Sequence, residues 1–386
     1  MMINRIQLYC KKGGFLFLFL CIALILNHRT GYITLIGIFS LLVLSLVTMR
    51  KKVDINSFAI LAYSVMFVLL STFNGFSYSL SSYVLYLVAP FVFYQFGREL
   101  VLRMRTSEYV LIAWLIIVFC YSIDVFLTTI SNIRETGILT DSDRSFYLTG
   151  SNAIQMSATV VGLSMNIGMI GLPMLFVVKG KLLRLSFFTL FILSLITTVS
   201  LLNRTAIVVA VSVFLIILLY KYKRNLKTFL LLLSILIGII FMLMHWGFIS
   251  SDIIELYNER NVDIATFGSR TERWSNALEY LITRPLGWAD SIGSYYVHNM
   301  WLDVARVSGI IPFILLAYIT LDSMITAFKT LRKNETQLSY MLVGLNICFF
   351  ASCFVEPVYG GTHMLLYFML WGTTKAFAER ELLHTC

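Results

Sequence analysis

The chain has little charge and lacks the short signatures of many soluble enzymes. Of its 386 residues, 13% are charged, whereas about 25% are charged in soluble domains. It contains no Walker A motif, no CxxC pair and no zinc-ligand spacing, and its six cysteines suggest no disulfide framework. These absences exclude a disordered chain, a disulfide-rich secreted domain and an attached ATPase or kinase domain.

The sequence instead consists mostly of long apolar blocks, since 59% of its residues are hydrophobic. Such runs can cross a hydrocarbon layer of about 30 Å as helices, and they are unlike the alternating strands of an outer-membrane barrel. The pattern predicts an all-α polytopic membrane protein with about 12 transmembrane helices. We expect spans near 14–27, 31–49, 56–74, 79–97, 108–129, 153–178, 185–202, 205–220, 228–248, 304–324, 338–355 and 362–378.

Basic residues orient this predicted array. The net charge is +10, and 21 of the 30 Lys and Arg residues fall on the side that carries both termini. Cytoplasmic loops collect Lys and Arg, so we expect both termini in the cytoplasm. All 12 lysines lie on that inner side, and every basic residue predicted outside is an arginine. Arginine is the side chain suited to forked recognition of phosphate.

The predicted loops divide the chain into three parts. Residues 1–248 form a membrane region with nine spans and a small outer loop, 130–152. Residues 249–303 form the one sizeable outer loop, and residues 304–386 hold the last three spans and a cytoplasmic C-terminus.

The outer loop contains a segment, 272–282, whose pattern predicts a short amphipathic helix. Trp274, Leu278 and Ile282 share one face of this helix. Ser269 or Thr271 could cap its start, and Pro285 closes it.

Three outer arginines are candidate anion ligands. Arg204 lies between two apolar spans, where it is either a snorkelling interfacial arginine or an anion ligand at a helix start. Arg270 and Arg273 flank the start of the amphipathic helix, where they are either solvated loop charges or phosphate ligands. Arg270 has the stronger case because it lies at a helix N-terminus.

Other polar candidates surround the last outer segments. His298 is either an interfacial histidine or a general base, because neutral imidazole suits that role near pH 7. Asn299 beside it could orient a substrate. Asp124 lies within a span, and Glu356 lies in a short outer turn; each is either structural or functional. No metal site is indicated, since the remaining histidines lack partners at ligand spacing.

The order of these residues resembles the O-antigen ligase and polymerase superfamily of bacterial inner-membrane proteins. Its members carry an arginine entering a late span, an R-x-x-x-W helix, a proline–glycine turn and a His-Asn-x-x-Leu motif followed by a glycine. The matching residues here are Arg204; Arg270 with Trp274; Pro285 with Gly287; His298, Asn299 and Leu302; and Gly309. The signature covers roughly residues 200–312. In one departure, Ala289 stands where the family usually has a second glycine.

The resemblance implies a glycosyltransferase on the periplasmic face, whose donor is a glycan linked to undecaprenyl diphosphate. His298 would be the catalytic base, and Arg204, Arg270 and Arg273 would bind the diphosphate. Asn299, Glu356 and Asp124 are weaker substrate-binding candidates. It also implies inversion at the anomeric carbon and no metal or other cofactor.

Polymerase and ligase remain alternatives within the family, since they share the donor and differ in the acceptor. A polymerase transfers the chain to a lipid-linked repeat unit, and a ligase transfers it to lipid A–core. The short segment between Trp274 and His298 favours the polymerase. Expected partners are the lipid-linked oligosaccharide, the bilayer, a chain-length regulator and the repeat-unit flippase, but not nucleic acid. From another class, a polysaccharide-lipid flippase or another secondary transporter would show paired repeats, which the sequence lacks.

Overall fold

A computed structural model of the chain describes residues 54–104, 106–136, 145–147, 155–201, 203–234, 270–289, 296–355 and 362–383. The predicted spans 14–27 and 31–49 lie outside these residues. So does much of the predicted outer loop 249–303.

The described part of the chain is almost entirely helical. Its helices are α1 (Ile55–Phe73), α2 (Leu80–Leu87), α3 (Ala89–Arg103), α4 (Ser107–Thr136), α5 (Ala158–Gly168), α6 (Gly171–Val177), α7 (Lys181–Ser200), α8 (Arg204–Lys221), α9 (Arg270–Thr283), α10 (Met300–Ser308), α11 (Ile310–Lys333), α12 (Gln337–Val355) and α13 (Thr362–Leu383). Residues 226–234 are also helical. Two short strands, β1 (Ser145–Tyr147) and β2 (Gln155–Ser157), pair in antiparallel fashion.

Five of the described helices are long and apolar enough to cross a membrane. They are α1, most of α4 (Ser107–Arg134), α7, α11 and α12. Two shorter apolar stretches, Gly162–Val177 and Thr205–Lys221, accompany them. These helices confirm a helical, membrane-embedded protein, whereas the total of 12 spans stays a prediction.

Two predicted spans are broken near a proline. The span predicted at 79–97 divides at Val88 into α2 and α3, with Pro90 in the first turn of α3. The span predicted at 153–178 starts as strand β2 and then divides between α5 and α6, with Pro173 near the start of α6. Proline has no N–H, and its ring clashes with the carbonyl four residues earlier, so a continuous helix is disfavoured at both places. In the structure each of these predicted spans is therefore interrupted, while the number of spans stays a prediction.

A glycine divides a third predicted span. Gly309 has φ 83° and ψ −173°, and it separates α10 from α11. This backbone region is essentially restricted to glycine. The span predicted at 304–324 is therefore a longer helix that begins at Ile310, preceded by a separate short helix.

The tightest helix pair in the described residues is α3 with α13. A Cβ atom on Gly97 would overlap the backbone of α13, and one on Gly372 would overlap the backbone of α3. Without side chains there, the two backbones pack directly, and the aromatic rings of Tyr94 and Trp371 meet beside them at 4.9 Å. The closely packed pair anchors a core that also includes the buried Trp114.

Polar contacts collect at two opposite ends of the bundle. At one end, which we call the Asp54 end, Arg98 binds Asp54 (2.5 Å) and Glu379 (2.9 Å), and Lys223 pairs with Glu335. At the other end, called the His298 end, are Asn74, residues 270–289, residues 296–309 and Phe354. Helix α1 connects the two ends directly, since Asp54 caps its start and Asn74 caps its end.

Candidate functional site

His298 has an unusual backbone conformation. Its φ is +56°, the one positive φ at a non-glycine residue in the described part of the chain. For a residue with a side chain, this left-handed conformation costs roughly 1–2 kcal/mol. Such a residue persists where surrounding contacts hold it, and it is a reason to look for function.

The Asp303 carboxylate holds the backbone on both sides of His298. One oxygen accepts the N–H of Val297 at 3.0 Å, and the other accepts the N–H of Asn299 at 3.3 Å. Arg306 also donates to this carboxylate, at 3.2 Å. Asp303 is completely buried. Burial raises its pKa, and the two backbone N–H groups and Arg306 counteract that rise.

Helix α9 holds the same segment from the other side. The Trp274 indole N–H donates to the carbonyl of Val297 at 3.0 Å, and Arg273 donates to the carbonyl of Tyr296 at 3.2 Å. A guanidinium has five N–H donors, and the Tyr296 carbonyl takes one of them. The segment before His298 is thus fixed by side chains 23 residues earlier in the sequence.

Asn299 connects His298 to two further helices. It is the N-cap of α10, and its side-chain oxygen accepts the N–H of Leu302 at 3.2 Å. Its side-chain amide donates to the carbonyl of Phe354, near the end of α12, at 3.2 Å. With its amide already engaged in this way, Asn299 holds the site together. Glu356 lies outside the described residues.

The proline–glycine turn after α9 fits against the α10–α11 junction. Ile310 donates its N–H to the Pro285 carbonyl at 2.8 Å, and Trp288 donates its N–H to the Arg306 carbonyl at 2.9 Å. A Cβ atom on Gly309 would overlap the Pro285 carbonyl, which explains a glycine there. The turn, α10 and the His298 segment therefore form one packed unit.

Asn74 fastens this unit to the membrane helices. Its side-chain amide donates to the carbonyls of Leu286 (2.7 Å) and Val307 (2.9 Å). A Cβ atom on Gly287 would overlap the same amide. Helix α1 thereby holds both the turn and α10.

The amphipathic helix predicted at 272–282 corresponds to α9, and of the three residues on its predicted apolar face only Trp274 packs against the protein. Trp274 packs inward with Ala277 and Leu281, at i, i+3 and i+7. Leu278 and Ile282, which were expected to share the face of Trp274, are 54% and 80% exposed. At 100° per residue, the docked face is centred nearer Ala277.

The remaining predicted site residues lie on several helices. Arg270 begins α9 and, at i−4, lies on the same helical face as Trp274. Arg204 begins α8, where Asn203 is the N-cap. Helix α8 packs against α12 and α5, within the bundle. Asp124 is buried in α4. The structure therefore brings Arg273, His298 and Asn299 together. Arg270 lies one turn before Arg273 on the same helix, α9.

Sequence reasoning missed the part played by Asp303. A usable signal was present, because an acidic residue in the first turn after an Asn N-cap can reach back to the backbone N–H groups before the helix. Asn74 had no such signal, since its partners lie 212 and 233 residues later in the chain.

No family model matches the chain, and no curated protein matches it significantly.

Proposed function

We propose that this chain is an inner-membrane glycosyltransferase of the O-antigen polymerase type. It would take a glycan chain linked to undecaprenyl diphosphate and transfer it onto a lipid-linked repeat unit at the periplasmic face. The observation that carries the proposal is the packed unit at the His298 end. Apart from Arg204, the parts of the sequence signature meet there: the R-x-x-x-W helix, the proline–glycine turn, His298–Asn299 and Gly309.

The proposed topology has 12 spans, with both termini in the cytoplasm and residues 249–303 in the periplasm. The grouping of polar contacts supports it. Segments assigned to the cytoplasm by their basic residues meet one another at the Asp54 end, and segments assigned to the periplasm meet at the His298 end.

In the proposed reaction, an acceptor hydroxyl attacks the anomeric carbon of the donor sugar. His298, as neutral imidazole, takes the hydroxyl proton. The bond from the anomeric carbon to the diphosphate oxygen breaks, and lipid diphosphate leaves with the electron pair. Attack from the opposite face inverts the anomeric centre. The energy is supplied by the lipid diphosphate bond, so no nucleotide is needed.

Fixed arginines would stabilise the charge that develops on the diphosphate. Arg270 and Arg204 each start a helix, where backbone N–H groups and the helix dipole also favour an anion. Arg273 is a third candidate, although its contact with the Tyr296 carbonyl gives it a structural task as well. Because the guanidinium charges can serve the leaving group, the proposed mechanism uses no metal.

The acceptor separates polymerase from ligase. Only 23 residues lie between Trp274 and His298, and α9 and the His298 segment are bonded directly together. This compact arrangement favours a slender lipid-linked acceptor over bulky lipid A–core.

Disruption of the gene in its source strain tests the proposal. A polymerase predicts lipid A–core that carries a single repeat unit. Lipid A–core with no repeat at all would indicate the ligase instead. A build-up of lipid-linked repeats on the cytoplasmic face would indicate a transporter, and unchanged surface polysaccharide would refute all three.

Variants of the arginines test the leaving-group assignment. Removal of one preorganised donor to developing charge costs roughly 10²–10³ in rate. We expect such a loss in Arg270→Ala, and still a large loss in Arg270→Lys, which keeps the charge but not the fork. Arg224→Ala, which removes an exposed arginine that follows α8, is the matched control and should retain activity. Wild-type polymer length and rate in an Arg204→Ala, Arg270→Ala double variant would rule the assignment out.

A further inference from the structure

Helix α9 has three distinct faces. Its docked face, which includes Trp274, Ala277 and Leu281, packs against residues of α10 and the His298 segment. A second face carries exposed polar residues such as Asn276 and Glu279. Between these two faces runs a narrow apolar strip.

We define this apolar strip as Leu278, Ile282 and Leu286. The three side chains are 54%, 80% and 49% exposed. Leu278 and Ile282 are one helical turn apart, and Leu286 follows in the turn after the helix. Exposure of a row of large aliphatic side chains to water is energetically unfavourable. Such a row therefore indicates a surface that contacts lipid or protein.

The apolar strip leads directly to the start of a membrane-spanning helix. Pro285, next to Leu286, accepts the N–H of Ile310, the first residue of α11. Near its start, α11 also exposes Ile311 and Ile314, by 43% and 55%. The end of the apolar strip therefore lies beside the first turn of α11 in space.

The length of α11 places this junction near the membrane boundary. Its 24 residues span about 36 Å, slightly more than a hydrocarbon layer of about 30 Å. The helix ends in Arg332 and Lys333, which belong in the headgroup region at the opposite side. Its first turn must therefore lie close to the other edge of the hydrocarbon, at the level of Leu286.

We propose that the apolar strip is a lipid contact, so that α9 lies in the membrane interface with Leu278, Ile282 and Leu286 among the acyl chains. The arrangement is typical of interfacial helices, which bury one apolar stripe and keep a polar face in water. Arg284 fits this placement, since it is exposed beside the Tyr280 ring (5.1 Å) and suits lipid phosphates.

The lipid contact fixes the height and rotation of α9 relative to the bilayer. With the strip in the acyl region, Arg270 and Trp274, on the docked face, are held at headgroup level. A lipid-linked diphosphate lies at this same level. Only this last consequence rests on the proposed function. The lipid contact itself requires only that the protein is embedded in a membrane.

Photocrosslinking in lipid nanodiscs tests the lipid contact independently of enzymatic activity. A photoreactive phenylalanine analogue is placed singly at Leu278, at Ile282, at Asn276 and at Ile314. After irradiation in phosphatidylethanolamine and phosphatidylglycerol nanodiscs, phospholipid adducts are quantified by mass spectrometry. Asn276 is the matched control on the polar face of α9, and Ile314 is the positive control on α11.

The expected result is a phospholipid adduct at Leu278 and Ile282 at least tenfold above that at Asn276 and similar to that at Ile314. Adducts at Ile314 without adducts at Leu278 or Ile282 would overturn the proposal. Crosslinks from Leu278 or Ile282 to protein, in place of lipid, would also overturn it, because another polypeptide segment would then cover the strip.

Discussion

The Asp303 side chain makes the most contacts that hold the backbone of the His298 segment. It accepts the N–H groups on both sides of His298 and pairs with Arg306, and it is fully buried. Asp303→Asn changes little in volume but removes the charge. One carboxylate oxygen is replaced by an NH₂ group, which donates hydrogen bonds. The backbone N–H that this oxygen accepted then faces another donor.

The expected cost follows from these contacts. Removal of one partner from a buried charge pair destabilises by about 3–5 kcal/mol, largely because Arg306 is left buried without its counterion. The lost acceptor for a backbone N–H contributes to the same total. The positive φ at His298 would then be less well held. A displacement of about 1 Å in a catalytic group can cost on the order of 10²-fold in rate.

Two measurements on the purified protein in detergent micelles check this reasoning. The free energy of unfolding should fall by the amount given above, and kcat should fall much more than KM rises. Glu279→Gln removes an exposed carboxylate from α9 and is the matched control, with both quantities near the wild-type values. If Asp303→Asn kept wild-type stability and wild-type kcat, Asp303 would not be a positioning residue.

Three further outcomes are expected. Gly309→Ala should lower the free energy of unfolding by roughly 1–3 kcal/mol from backbone strain alone, whereas Gly180→Ala, where φ is −78° and the added Cβ has room, should change it little. Burial raises the pKa of Asp54, but its hydrogen bonds and Arg98 outweigh this, so its folded pKa lies below 3.8; the resulting stabilisation is complete above pH 3.8 and is lost as pH falls through the folded pKa, and acid titration of Asp54→Asn should lack that component. Ser275→Cys should react with an impermeant thiol reagent in intact spheroplasts, and labelling only after lysis would contradict the proposed topology.

The sequence predicts the membrane helices better than their interruptions. The spans expected at 108–129, 185–202 and 338–355 correspond to α4, α7 and α12. Hydropathy measures the preference of a segment for lipid averaged over many residues, so it does not locate a break at Val88 or Gly309. The breaks depend on backbone geometry, for which the nearby prolines and glycines were the available signals.

The faces of α9 show a second limit of sequence reasoning. Periodicity located the helix, but it assumes that the largest apolar side chains face the protein. In the structure, the small Ala277 is buried and Ile282 is exposed. A helix that contacts protein on one side and, in our proposal, lipid on another carries two adjacent apolar surfaces. Periodicity alone cannot assign each surface to its partner.

The candidate site was found in part because its members lie in two short stretches of sequence. Arg273, His298 and Asn299 were all named from the sequence, and the structure brings them together. What sequence could not give was the manner in which they are held. Asn74 reaches across more than 200 residues and leaves no local pattern, whereas Asp303, four residues after the Asn299 N-cap, leaves only a short local signal.

Glycosyl transfer by the His298→Gln variant tests the central proposal most directly. Purified protein in detergent is given lipid-linked repeat unit as donor and acceptor, with a chelator present, and the rate of chain extension is measured. Glutamine can form a hydrogen bond but is not a useful base, so the account predicts that donor binding is retained while transfer slows by about 10²–10⁴-fold. The wild-type protein should be unaffected by the chelator. Transfer by His298→Gln at the wild-type rate would contradict the assignment of His298 as the base.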